Sequence, residues 1–284
     1  MSCLGFCGLA SFAVGQTITF SPEDFGEPEW SLRMYSASAT TLDNVNVTEL
    51  HGKDWLQIAR TGTTPIINGS AQLIYNAGHY TTGETTPIPT SVPTSDPSNQ
   101  LADFSGSVIL GWSTLGDSHG VLLRSRGYNF NNNATTGVIN AYYLAATSSG
   151  LGLYYNVGNE FHSGVGVETL AHTAWTTTPG VLNPTNNNQY LLEFSAIGLT
   201  ISGSLWATDG EGNIVGENPL ASLSYLDTRE EARTEGYFGL RGGRYGTVRS
   251  TYFGDLEISV IPEPSAIVFF AFASGLVLYR RRRF

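Results

Sequence analysis

Thiols and lysine are almost missing from this chain of 284 residues. Its two cysteines, Cys3 and Cys7, lie inside an apolar stretch running from Cys3 to Val14. If that stretch is removed on export, the mature domain has no disulfide framework, no cysteine nucleophile and no thiolate metal site. Lys53 is the one lysine, and four of the 14 basic residues crowd into the last five positions. Setting aside Arg280 to Arg283 and Glu263 leaves 10 basic and 23 acidic side chains, a net of −13. Such an acidic, lysine-poor surface repels phosphate backbones, which argues against nucleic acid as a partner. Charge is scarce overall, at 13% of residues, too little to wet the outer faces of amphipathic helices. Abundant Gly, Thr, Ser, Asn and aromatics fit pleated, half-buried strands, so the class expected is all-β.

The ends of the chain read as targeting segments. Residues 1–15 have the apolar core of a secretory signal, with Ala13 and Gly15 spaced as a cleavage site before Gln16. The basic front such signals carry is missing, since Arg33 is the first basic residue, and the stretch therefore reads as a truncated signal. Ser265 to Leu278 holds no charge and leads into Tyr279, then Arg280, Arg281, Arg282 and Arg283. As a helix those 14 residues span about 21 Å against a hydrocarbon core of roughly 30 Å, a short transmembrane helix helped by snorkelling arginines. The positive-inside rule keeps the arginines cytoplasmic and leaves everything before Pro262 outside.

The order Pro262, Glu263, Pro264, Ser265, apolar run and terminal Arg cluster resembles the PEP-CTERM family of bacterial sorting signals. That resemblance, over residues 262–284, implies recognition by an exosortase, a transient inner-membrane hold, cleavage near Pro262, Glu263 and Pro264, and final residence at the cell surface or in the extracellular matrix. The two prolines keep Glu263 in extended, accessible backbone, which suits such a recognition site.

Residues 16–261 read as one ectodomain. Pro87, Pro89, Pro93 and Pro97 mark residues 85–99 as a long surface loop, with an interdomain linker the alternative. Strand-length apolar runs bounded by turn residues fall at Trp30 to Tyr35, Trp55 to Ile58, Ala71 to Tyr75, Phe104 to Trp112, Gly120 to Arg126, Val138 to Ala146, Leu151 to Asn156, Tyr190 to Ile197, Leu199 to Ala207, Leu220 to Tyr225, Tyr237 to Arg241 and Val248 to Val260. Leu199, Ile201, Leu205 and Ala207 alternate against Thr200, Ser202 and Ser204, and Trp206 interrupts the polar row. Asp209 to Asn213 reads as a tight reversal. The strand at Tyr190 to Phe194, the hairpin from Leu205 to Gly212, the strand Gly236 to Arg241 and the closing Tyr252 to Ile258 resemble the concanavalin A-like, laminin-G-like jelly rolls. This implies a two-sheet antiparallel sandwich.

Catalytic motifs are harder to find. A glucanase of that fold presents Glu-x-Asp-x-Glu on one strand; Asp255 and Glu257 are two apart, but Phe253 stands where the third carboxylate would be. The five histidines, His51, His79, His119, His162 and His172, lack metal-binding spacing, although His162 and His172 could meet across a hairpin. Neither a Gly-x-Ser-x-Gly elbow nor a phosphate-cradling Gly-x-x-x-x-Gly-Lys occurs. Asp209, Glu211 and Asn213 alternate oxygen ligands as calcium would accept, but the same string is what a hairpin tip needs, and the plain turn is the reading favoured. Trp112, Trp175, Trp206 and Tyr245 are aromatics that could stack on sugar rings; Trp206 is favoured by its polar face, and Tyr245 by its place in the Arg241 to Arg249 loop. Sequons at Asn46, Asn68 and Asn133 are accounted for by an Asn/Thr-rich composition. The expectation is a cofactor-free, non-enzymatic surface protein that binds extracellular polysaccharide. The alternative is a glycan hydrolase or lyase of the same fold whose carboxylates come from separate strands.

Overall fold

Period-two alternation of apolar and small polar residues builds two antiparallel sheets that share one core. The computed structural model describes residues 15–25, 30–35, 45–59, 70–75, 100–116, 118–125, 141–156, 167–242 and 250–262. The apolar stretch ending at Val14, the Pro-rich loop 85–99 and residues 263–284 lie outside them. Within the described residues no helix is long and apolar enough to cross a membrane, and the one helical element is a three-residue 3-10 turn, Pro22–Asp24.

Seventeen strands are described. The larger sheet runs in the order β15 (Ala221–Leu226), β14 (Thr200–Thr208), β13 (Gln189–Ile197), β6 (Phe104–Trp112), β17 (Ser250–Val260), β4 (Lys53–Ala59) and β3 (Val45–Leu50), with β1 (Thr17–Phe20) as its eighth strand, paired to the end of β17. The smaller runs β10 (Val167–Ala174), β9 (Gly150–Asn156), β8 (Ala141–Ala146), β7 (His119–Ser125), β16 (Tyr237–Gly242), β5 (Ser70–Tyr75) and β2 (Trp30–Tyr35). A short pair, β11 (Leu182–Asn183) and β12 (Asn186–Asn187), stands apart. Strand positions at Trp30 to Tyr35 and Phe104 to Trp112 agree to the residue with the sequence expectation. β1, β3 and β10 were not foreseen. Leu199 belongs to the turn before β14 and is exposed, so it does not share the inner face with Ile201 and Leu205.

The sheets face each other through a single buried cluster. Phe104 on β6 and Phe194 on β13 meet Phe238 on β16 at ring separations of 6.3 and 5.2 Å. Gly203 on β14 comes so close to Leu144 on β8 that an added Cβ would stand 2.4 Å from its methyl carbon, so a side chain there would prise the sheets apart. Trp112, expected as a surface aromatic, is fully buried. Its indole stacks against Tyr190 (4.7 Å) and His119 (5.4 Å), because the inward parity of β6 leaves it no route to solvent. His119 donates from Nε2 to the Thr114 carbonyl (3.0 Å) and accepts the Thr251 hydroxyl at Nδ1 (2.6 Å), which ties β7 to β17 across the core.

One end of the sandwich is clasped by buried polar groups. Arg124 has a positive φ of 51° and is held by four hydrogen bonds to the carbonyls of Ala102, Gly198 and Arg233. The hydroxyl of Tyr142 donates to Asp227 (2.6 Å) and accepts the backbone N–H of Arg233 (3.0 Å). Arg229 grips both oxygens of Asp227, at 2.8 and 2.7 Å, and its guanidinium lies 4.3 Å from the centre of the Tyr155 ring. Burial pushes the Asp227 carboxyl up, but the hydrogen bonds from Arg229 and Tyr142 more than offset this, and it titrates below its ordinary value. A depressed folded value means that the clasp's contribution is complete above the unfolded pKa and is lost as pH falls through the folded one. Tyr142→Phe leaves this carboxylate short of a donor and is expected to cost about 1–3 kcal/mol at neutral pH in urea unfolding. Unchanged stability in the variant would contradict the clasp.

Candidate functional site

The outer face of the larger sheet carries the residues that the core rejects. Outward positions pair strand to strand in two rows. One runs Ser224, Ser202, Ser195, Ser105, Ser259, Thr17 from β15 to β1; the other runs Ser222, Ser204, Glu193, Ser107, Glu257, Thr19. All twelve are exposed or half-exposed. Their spacing follows from the sheet itself, about 4.8 Å between strands and roughly 7 Å between rows. Ser195 and Ser202 bond to each other through their hydroxyls at 2.7 Å.

Trp206 stands at the next outward position of β14, aligned with Leu191 and Ile109 across β13 and β6. Its indole is half-buried, and its Nε1 donates to Glu193 Oε2 at 2.7 Å. The ring is therefore anchored at its polar edge, between the row of Ser204 and Glu193 on one side and the apolar Leu191 beside it. The other tryptophans differ. Trp175 is half-buried and packs on the core with Nε1 donating to the Thr147 carbonyl (3.0 Å), and Trp55 lies buried against Tyr252 and Leu182.

Beyond Ile109 the face is shaped by a bulge. Phe253 pairs with Leu110 and Leu256 with Val108, so Gly254 and Asp255 together oppose Ile109 alone. The extra residue is demanded by the pattern, since Phe253 and Leu256 are an odd number apart and both enter the core. Asp255 is thereby turned outward. It joins Glu23, Asp54 and Glu211, with Lys53, Trp55 and Gln189, around a cavity of about 310 Å³. Gln189 is 1% exposed; its Nε2 donates to Asn187 Oδ1 (2.6 Å), and its Oε1, itself closed to solvent, has no hydrogen-bond partner among the described residues. Sequence reasoning passed over Gln189, Asp54 and Glu193, although an isolated glycine inside the last strand pattern, Gly254, signals a bulge.

The hairpin tip is held by its own first carboxylate. Asp209 Oδ1 accepts the backbone N–H groups of Glu211 and Asn213, each at 2.9 Å, and Asn213 turns its amide N–H₂ toward the same carboxylate. These bonds, the Asn213 side chain foremost, hold the Asp209 carboxyl below its ordinary value. Among the described residues no three acidic, histidine or cysteine groups stand close enough to hold a metal ion. Asp209, Glu211 and Asn213 thus form a turn that closes on its own carboxylate.

Asp255 and Glu257 both point outward, Asp255 at the bulge beside the cavity and Glu257 in the outer row between Ser107 and Thr19. His172 is exposed on β10 with Nε2 3.0 Å from Ser149 Oγ. His162, Tyr245, Glu263, Pro264, Arg280, Arg281, Arg282 and Arg283 lie outside the described residues. Pro262 is described, half-buried at the end of β17.

No family model matches the chain, and no curated protein matches it in sequence. Solved structures similar to it include the exoplasmic/lumenal domain of VIP36 bound to Ca²⁺ and Man3GlcNAc, with 10% identity, 86% of this chain and 88% of that one covered, and a TM-score of 0.47. A lectin from Bauhinia forficata in complex with GalNAc has 12% identity, coverage of 86% and 97%, and a TM-score of 0.41. Alginate lyase A1-II′, of polysaccharide lyase family 7, has 11% identity, coverage of 84% and 98%, and a TM-score of 0.43. At these scores the likeness extends no further than a broadly similar arrangement of sheets.

Proposed function

We propose that this chain is an exported, non-enzymatic surface protein whose larger sheet binds extracellular polysaccharide on its outer face. The observation that carries the reading is Trp206, fixed by Glu193 beside two rows of outward Ser, Thr and Glu side chains. Sugar rings offer an apolar C–H face and a rim of hydroxyls; an anchored indole suits the first, and rows of Ser, Thr and Glu suit the second. The hydrolase or lyase alternative gains nothing from the same face. Glu193 and Glu257 stand two strand spacings apart, about 10 Å, and both are exposed to bulk water.

The sorting role of residues 262–284 belongs to the same proposal. In support of it, the sandwich is complete by Val260, whose N–H bonds to the Gln16 carbonyl (2.8 Å), while the N–H of Ile261 bonds to the Asp103 carbonyl (2.8 Å). A domain closed at that point can fold before an exosortase acts on Pro262, Glu263 and Pro264, and can leave the inner membrane for the cell surface or matrix intact.

Two measurements test the two halves. In polysaccharide pull-down and calorimetry, Trp206→Ala is expected to weaken binding on the order of tenfold, about 1.4 kcal/mol, while unfolding as the wild type does; unchanged binding contradicts the role of this face. Mass spectrometry of protein recovered from the medium is expected to find chains lacking Arg280 to Arg283. Their retention in the released protein would contradict processing at the motif.

A further inference from the structure

One step along the strands from the two hydroxyl rows, the outer face of the larger sheet ends in a row of different chemistry. Ile197 pairs with Thr200 and Thr200 with Leu226, and strand parity puts all three on the outside. Beyond β13 the same row passes through Asp103 to Ile261, since Ala196 pairs with Phe104 and Phe104 with Val260, and the N–H of Ile261 bonds to the Asp103 carbonyl (2.8 Å). Leu199, in the turn between β13 and β14, accepts the Asp227 N–H at its carbonyl (2.9 Å), which sets it beside Leu226. Ile197 is 46% exposed, Leu199 38% and Leu226 60%, three of the six large hydrophobic side chains that are exposed among the described residues. Single exposed aliphatics need no explanation, whereas several side by side mark a contact surface. The one carboxylate in the row is already engaged: Asp103 Oδ1 accepts the Gly198 N–H (2.8 Å) and pairs with Arg124 (3.2 Å).

The partner for this row follows from where the chain leaves the sandwich. Ile261 ends the row, and only Pro262, Glu263 and Pro264 separate it from Ser265, where the uncharged run to Leu278 begins. Those four residue steps reach at most about 14 Å. Ile197 stands two strand spacings from Ile261, about 10 Å, so a membrane that holds the run lies within reach of the apolar row. We propose that this row is a seat on the lipid bilayer: while the tail holds the chain, Ile197, Leu199 and Leu226 enter the interfacial layer of the same membrane. The inference rests on the tail reading and gives the transient hold a second point of contact. A short tether raises the effective concentration of that contact, so apolar side chains too few to hold a free domain are enough here. Exposed Glu230, Glu231 and Glu235 follow Leu226 in the chain and make anionic headgroups unfavourable neighbours, which is why a neutral lipid is the suitable probe. Trp206 lies six residues along β14 from Thr200, about 20 Å, so a seated domain keeps its glycan-binding face clear of the lipid.

Photolabelling of the full chain in phosphatidylcholine vesicles tests the seat, with a phospholipid that carries a diazirine near the glycerol end of its acyl chain and peptide mass spectrometry as the readout. Adducts are expected on residues 265–278 and, in the same preparation, on 197–200 and 224–227. Residues 209–215, at the other end of β14, are the control: Ile214 and Val215 are 43% and 54% exposed, yet on the order of tenfold fewer adducts are expected there. The triple variant Ile197→Ser, Leu199→Ser, Leu226→Ser is expected to cut the sandwich adducts about tenfold and to leave those on the tail unchanged. If the variant does not fold, the contrast between the two ends of β14 in the wild type decides. Tail adducts without sandwich adducts, sandwich adducts that survive in the variant, or equal labelling of 209–215 overturn the seat and leave the tail reading standing. Adducts on neither remove both. A dimer that keeps lipid from the three side chains, and that the serine variant breaks, overturns the seat in favour of a second copy.

Discussion

Parity across the larger sheet is the constraint on which the rest depends. Leu192, Phe194 and Ala196 on β13, and Ile201 and Leu205 on β14, are buried because they face the smaller sheet. Glu193, Ser195, Ser202, Ser204 and Trp206 are outside for the same reason. A one-residue slip would exchange the two sets, sinking a carboxylate and several hydroxyls into the core, so the register is fixed by a large energetic difference and the outer face is fixed with it. The functional surface is the complement of the packing.

Where the parity of the sequence breaks, the structure makes something of the break. Phe253 and Leu256 both need the interior, and the bulge that reconciles them throws Asp255 outward at the mouth of the acidic cavity. The Asp209 to Asn213 hairpin, closed by its own aspartate, brings Glu211 and Gly212 to the same place. A bulge, a hairpin tip, the 3-10 turn and the start of β4 therefore gather carboxylates that lie far apart along the chain.

Much of the fold was legible because alternation is a local property. β6, β13 and β14 announce themselves by apolar residues at every second position, and the reversal after β14 by its glycines and Asp209. β10 escaped notice because its face is mixed; Glu168, Thr169 and His172 leave no apolar row, and its pairing with β9 also shifts at Thr169 and Ala171. β1 escaped because Thr17 to Phe20 is too short to show a period. The site was legible only in part. Trp206 stood out against a polar row, whereas Trp112 looked equally available and proved to be core, since nothing in its neighbours discloses a stack with Tyr190 and His119 from other strands. Gln189 could not be found from sequence, because its burial and its bond to Asn187 exist only once the sheet has formed.

The account stands or falls on whether the outward face of β13 and β14 is where glycan lies. Hydroxyl-radical footprinting of the full protein, free and saturated with a bound polysaccharide, reads this directly at single side chains. Protection of Trp206 by the bound sugar, with Trp175, which packs on the core, oxidised to the same extent in both states, is the result expected. Equal oxidation of Trp206 with and without the sugar would show that the chain binds its ligand elsewhere.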